Sequence, residues 1–194
     1  AAPATRPAGD GLAFSIEGHE LQFLAVDLRP GEAMVAEAGQ MMFKDAAVSM
    51  ETIFGDGSEQ PNAGLLGRLI KGAKRVLSGA TLFMTRFANM GPSTARVAFS
   101  APYPGKILAL RLDRYGGELF CQRETFLAAA QGVQIDVAFQ KKIMTGLFGG
   151  EGFIMQRLSG QDWVFVHAGG MVVERELAPG EELHVDAGCL VAQT

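Results

Sequence analysis

Apolar and polar residues alternate along much of this chain. Val133, Ile135, Val137 and Phe139 share one side of a run whose other side carries Gln134, Asp136 and Gln140. Leu108, Leu110 and Leu112 alternate with Ala109 and Arg111. A period of two is the signature of a strand with one buried face. Runs 163–167 and 171–176 are shorter, rich in β-forming residues and bounded by glycines, and they predict further strands. Residues 12–27, with Leu21, Phe23 and Val26, read as a strand leading into a turn. One stretch departs from this period. From 64 to 77 the apolar residues Leu65, Leu66, Leu69, Ile70, Ala73, Val76 and Leu77 fall on one helical face. Arg68, Lys71, Lys74 and Arg75 lie largely off that face, with no acidic residue among them. Gly67 and Gly72 each weaken a helix by up to about 1 kcal/mol, so the segment predicts a short helical insertion.

The turns between strands carry an internal likeness. Leu28-Arg29-Pro30-Gly31-Glu32 returns as Leu177-Ala178-Pro179-Gly180-Glu181, and Met34 to Gly39 lies over Leu183 to Gly188. Tyr103-Pro104-Gly105-Lys106 sits midway and reads as an intermediate copy, which sets a period of about 75 residues. Proline presets φ at the first central position of a type II turn and glycine supplies the positive φ at the second. Pro30-Gly31, Pro104-Gly105 and Pro179-Gly180 are therefore predicted as structural turns. A second landmark sets Arg86 over Arg157. The predicted organisation is a disordered tail over 1–11, a first β-repeat over 12–102 holding the basic insertion 64–77, a second over 103–176, and the start of an incomplete third over 177–194. The strand within 12–27 resembles the end of a repeat, and is expected to complete that third unit within the chain or across a subunit boundary, because an uncovered edge exposes unpaired backbone groups.

Composition narrows the function classes. The chain has 194 residues, 48% hydrophobic and 20% charged, which is the balance of a packed domain rather than a disordered one. Its formal charge of −4 argues against nucleic acid as a partner. Cys121 and Cys189 are too few for a disulfide framework and read as small buried hydrophobes in a reducing, cytoplasmic compartment. No stretch approaches the roughly 18 apolar residues of a membrane-spanning helix.

The runs Leu147-Phe148-Gly149-Gly150-Glu151-Gly152-Phe153, Pro179 to Ala192 and Gly116 to Ala128 resemble an uncharacterised bacterial and archaeal family. That family is related to a fungal mitochondrial-biogenesis protein of the inner membrane. The resemblance covers about residues 12 to 194. It implies an all-β, TRAP-like fold of tandem β-sandwich repeats, ring-like oligomeric assembly and no established enzymatic activity. It also implies a third repeat that runs further than this sequence does.

No catalytic set stands out. His184, Asp186 and Cys189 lie close in sequence, but the matching positions of the first copy hold Val35 and Glu37, so no metal-ligand set recurs. Cys121 and His167 form a nominal nucleophile and base with nothing to bring them together. Glu151 sits in a glycine-rich turn that matches no phosphate-binding loop and reads as a carboxylate accepting backbone N–H bonds. RNA binding would need basic and aromatic groups repeated along an edge, and beyond the one basic cluster only Lys141 and Lys142 echo it. The sequence therefore predicts a non-enzymatic, self-assembling β scaffold without cofactor or metal. Arg68, Lys71, Lys74 and Arg75 are its candidate surface for an anionic membrane or a protein partner, held peripherally at the inner membrane face. The alternative is a small-molecule-binding module with a pocket between repeats or subunits.

Overall fold

A computed structural model describes residues 5–6, 11–54, 83–141 and 153–194. The regular secondary structure of the described part is almost wholly antiparallel β. The strands run in order as β1 (Thr5–Arg6), β2 (Ala13–Glu17), β3 (Phe23–Leu28), β4 (Ala33–Glu37), β5 (Met41–Lys44), β6 (Val48–Phe54), β7 (Phe83–Asn89) and β8 (Ala95–Ser100). They continue as β9 (Lys106–Arg111), β10 (Glu118–Gln122), β11 (Phe126–Ala130), β12 (Gln134–Lys141), β13 (Phe153–Ser159), β14 (Trp163–Ala168) and β15 (Ala192–Gln193). Short 3-10 turns cover Leu112–Tyr115, Arg123–Thr125 and Ala187–Cys189.

Three sheets form, ordered β1-β2-β3-β8-β5, β6-β7-β4-β11-β14-β9 and β12-β13-β10-β15. The six-stranded sheet is the middle layer, because its strands send alternate side chains into two different cores. Met34, Ala36, Phe87, Trp163 and Phe165 join Phe14, Leu24, Val26, Val97 and Phe99 of the first sheet. Val35, Met84, Ala129, Val164 and Val166 join Leu119, Cys121, Ile135 and Leu158 of the third. That placement explains why β11 and β14 are buried at every position. A strand covered on both faces reads as a continuous apolar run, whereas β2, with one covered face, alternates. Edge-to-face pairs join the first two layers: Phe14 lies 5.1 Å from Trp163 and 4.9 Å from Phe165, and Phe87 lies 5.0 Å from Phe99. Each such contact adds roughly 0.5–1.5 kcal/mol beyond its buried area.

The pairing order of β3 to β8 is the pairing order of β9 to β14. In the first set β8 lies between β3 and β5, and β7 between β4 and β6; in the second, β14 lies between β9 and β11, and β13 between β10 and β12. The two sets share the middle sheet, where β4 pairs β11. The strands do not keep a fixed 75-residue spacing, because the β6–β7 connection spans 55–82 and the β12–β13 connection only 142–152.

Two of the three Pro-Gly turns have the expected geometry. Gly31 and Gly180 take φ of 79° and 83°. Glu32 N donates to Arg29 O, and Glu181 N donates to Ala178 O. In both turns the glutamate carboxylate also accepts from the backbone N–H three residues before it, of Arg29 and of Ala178. Pro104-Gly105 differs. Gly105 is absent from the positive-φ glycines, and a Cβ there would stand 2.5 Å from His167 Cε1. Glycine is required at 105 for close approach rather than for a turn.

Two strands at the N-terminal side add to the first sheet. Thr5–Arg6 of the expected tail pairs with β2. The strand expected to complete the third unit forms a hairpin instead, β2 on β3, and so extends the first sheet. Phe14, Ile16 and Leu12 gain a buried place over β14 by doing so, which an excursion to the distant third sheet would forfeit.

Candidate functional site

One set of polar groups gathers where the middle and third sheets meet across β4 and β10. Glu37 ends β4 and lies 3.8 Å from the Arg123 guanidinium, which the Arg123–Thr125 turn presents. Burial lifts the Glu37 carboxyl to about 7, with Arg123 opposing the rise. Its Oε2 has no hydrogen-bond partner. Across the β10–β13 ladder Cys121 stands opposite Gln156. Gln156 is fully buried, and neither its Oε1 nor its Nε2 is hydrogen-bonded. Burial pushes the Cys121 thiol up to about 12, which leaves it an inert hydrophobe. Thr125 closes the group: its hydroxyl donates to Gln122 O at 2.8 Å and lies 3.0 Å from Val191 O, against which β15 is held.

A second group sits at the far edge of the middle sheet. His167 is buried, packs edge-on to Tyr103 at 4.7 Å and leaves Nδ1 unpartnered. Burial lowers its pKa, so the ring is held neutral. His167 shares the face of Phe165, while Cys121 lies in the core on the other side of that sheet. The nominal Cys121 and His167 pair is thus split between two layers.

Other sequence candidates are used locally. Asp186 accepts from Gly188 N at 2.9 Å and caps the 187–189 turn, while His184 and Cys189 are exposed. Among the described residues no group of three or more His, Cys, Asp or Glu is placed to hold a metal ion. An open, polar depression of about 540 Å³ is lined by Gly11, Arg111, Gln131, Gly132, Gln161 and Asp162. Arg68, Lys71, Lys74 and Arg75 lie outside the described residues, as do Lys142 and Glu151. Among the described residues no helix is long and apolar enough to cross a membrane.

The exposed apolar residues form a third group. From 171 to 186 the chain joins no sheet, yet Met171, Val173, Leu177, Leu183 and Val185 have β-forming or apolar side chains and stand in solvent. β5 ends the first sheet, and its Met42 and Phe43 are 57% and 43% exposed. The sequence marked 171–176 as a strand but did not single out β5, Glu37, Arg123 or Gln156. A Gln at 156 on the strand face shared by Ile154 and Leu158 was the available signal for the last.

The sequence model of the family described as mitochondrial biogenesis AIM24 matches residues 14–194. No curated protein matches the chain. Among solved structures, the crystal structure of protein SPYM3_0169 from Streptococcus pyogenes, a structural-genomics target, is similar with a TM-score of 0.57 and 20% identity. The likeness covers 82% of this chain, which spans only 66% of the length of that protein. At that identity the likeness is one of fold.

Proposed function

This chain belongs to the mitochondrial biogenesis AIM24 family, and we propose that it is a non-enzymatic β scaffold that assembles with copies of itself. The observation that carries this reading is the pairing of two uncovered features on one chain: the apolar stretch 171–186 and the edge strand β5. Exposed apolar side chains and an open sheet edge each mark an association surface, since native proteins otherwise blunt such edges. Light scattering across a concentration series tests it: mass rising above that of the 20.6 kDa chain supports assembly, and a constant monomer mass ends it. Partner binding, at a membrane or a protein, rests on the basic positions Arg68, Lys71, Lys74 and Arg75 alone. A peripheral place at the inner membrane face is the corresponding location. Sedimentation with anionic vesicles tests that: wild type and a variant with all four changed to Glu remaining equally in solution would end the membrane reading.

A second reading, a small-molecule-binding module, is favoured by the unpartnered Glu37 Oε2 and Gln156 amide between the layers. A small ligand that both donates and accepts hydrogen bonds would satisfy them. A thermal-shift screen tests this, since a ligand at 100 times its Kd adds about 2.7 kcal/mol. A hit retained by Gln156→Leu would not use this site.

A further inference from the structure

The β3–β8 and β9–β14 sets match rung by rung. The ladder irregularity between Met41 and Phe43 on β8 recurs between Phe126 and Ala128 on β14, which matches Phe43 with Ala128. The turns that follow agree: Val48 N donates to Asp45 O, and Val133 N donates to Ala130 O. Ala46-Ala47 therefore matches Gln131-Gly132. Phe43 faces Ala98 and Ala128 faces Phe165, so Arg96 matches Trp163 and Ala95 matches Asp162. Asp27, opposite Arg96, matches Arg111, opposite Trp163.

In the first set the polar groups at these places are spent on each other. Arg96 donates to Asp27 twice, Nε to Oδ1 at 2.7 Å and Nη2 to Oδ2 at 2.9 Å, and Asp45 accepts from Arg96 N at 2.7 Å. Ala46 and Ala47 add no polar side chain. In the second set the same places hold Arg111, Gln131, Gly132 and Asp162, and with Gln161 and Gly11 they line the depression of about 540 Å³. One copy of the unit folds without these side chains, so they belong to this copy and not to the architecture. Their backbone is fixed from outside: Leu112 N donates to Asp162 O at 3.1 Å, Gln131 N to Ala33 O at 3.3 Å and Trp163 N to Asp162 Oδ1 at 2.8 Å. The side chains are less engaged. Among the described residues neither the Gln131 nor the Gln161 amide has a hydrogen-bond partner. Arg111 Nε lies 3.1 Å from Asp113 Oδ2 without the alignment of a hydrogen bond.

We propose that this depression binds a neutral, polyhydroxylated molecule of sugar size. The site is separate from the Glu37 and Gln156 group and does not depend on self-assembly. Each lining side chain ends in a flat group with polar atoms side by side: a guanidinium, a carboxylate and two primary amides. A hydroxyl both donates and accepts, so neighbouring hydroxyls on a sugar ring meet the carboxylate and amide oxygens and the amide and guanidinium N–H groups together. Charge disfavours an anion. The single guanidinium is set against two carboxylates, Asp113 and Asp162, so a phosphate or carboxylate finds no positive excess. No aliphatic or aromatic side chain lines the depression, so an apolar molecule has nothing to bury against. The volume lies within the range of about 300–1,000 Å³ usual for small-molecule sites. An open site without an apolar floor binds weakly, with a Kd on the order of 1 mM.

Saturation-transfer NMR on the full chain tests this, with glucose, galactose, mannose and maltose each in large excess. The expected result is transfer to at least one sugar. Binding of that sugar should be about tenfold weaker in Gln131→Ala and in Gln161→Ala, because each removes an amide that a hydroxyl had satisfied. Both glutamines are exposed, so the variants should fold as the parent does. No transfer to any of the four sugars overturns the proposal. Binding that survives both variants and is lost in Gln156→Leu also overturns it and moves the sugar to the buried group between the layers. Glucose 6-phosphate or glucosamine binding tenfold tighter than glucose would overturn it too, since charge and not hydroxyls would then be what the site recognises.

Discussion

Gly105 lies directly against His167: a Cβ at 105 would stand 2.5 Å from the imidazole Cε1 and 2.3 Å from the carbonyl oxygen of Ala168. The backbone oxygen belongs to β14 in the middle layer and has no room to retreat. Gly105→Ala should therefore cost at least about 1–3 kcal/mol, the usual penalty of overpacking. Gly31→Ala meets nothing within 4 Å and is strained only by its φ of 79°, so it should cost about 1 kcal/mol. Urea denaturation of the two variants checks the order, and a neutral Gly105→Ala would refute the close approach.

Asn89 is expected to be the most sensitive polar side chain of the first core. It is 1% exposed; its Nδ2 donates to Leu28 O and Ser93 O, and its Oδ1 accepts from Gly91 N. Its backbone N–H and C=O pair with Glu32 O and Gly31 N beside the first Pro-Gly turn. Asn89→Ala leaves several buried groups unpaired, each worth about 1–3 kcal/mol, and should lower the denaturation midpoint accordingly. A change near zero would mean that water replaces the amide.

Glu37 should make stability fall as pH rises. Its folded-state pKa of about 7 lies above the ordinary 4.5, so between those values the folded chain binds the proton that the unfolded chain has lost. The contribution is fully present below pH 4.5 and lost by pH 7, with a ceiling of about 3 kcal/mol set by the size of the shift. His167, whose pKa is lowered, acts in the opposite sense: its contribution is present above pH 6.5 and lost as pH falls. Comparing wild type with Glu37→Gln cancels the histidine. The variant should gain on wild type between pH 5 and pH 8, and a constant difference would contradict the buried, proton-holding carboxyl.

Gln156→Leu should stabilise the chain or leave it unchanged. The amide is buried without a partner on either atom, and replacing it with an apolar group of similar size removes a desolvation cost of roughly 1–3 kcal/mol. Loss of stability in thermal melts would show that something satisfies the amide in solution.

The sequence made some of this fold legible and concealed the rest for physical reasons. Alternation in β12 marked an outer strand with one covered face, and the Pro30-Gly31 and Pro179-Gly180 turns share their backbone bonds as well as their residues. Pro104-Gly105 misled because the same dipeptide serves a turn in two places and close packing in the third. The layer order was hidden because a strand buried on both faces, such as β14, loses the alternation that would reveal its faces. Glu37 and Gln156 gave little warning, since a polar residue in a strand looks like any solvent-facing position until the opposing sheet is known. The open edges were invisible for the same reason: exposure of Phe43 and Val185 is a property of what does not pair with them.

Amide hydrogen exchange at low and high protein concentration tests the assembly most directly. The account predicts that amides of β5 and of the stretch 171–186 become protected as concentration rises, because an assembly that uses these uncovered features shields them from solvent. Exchange at these two segments that stays fast and equal at both concentrations would contradict it.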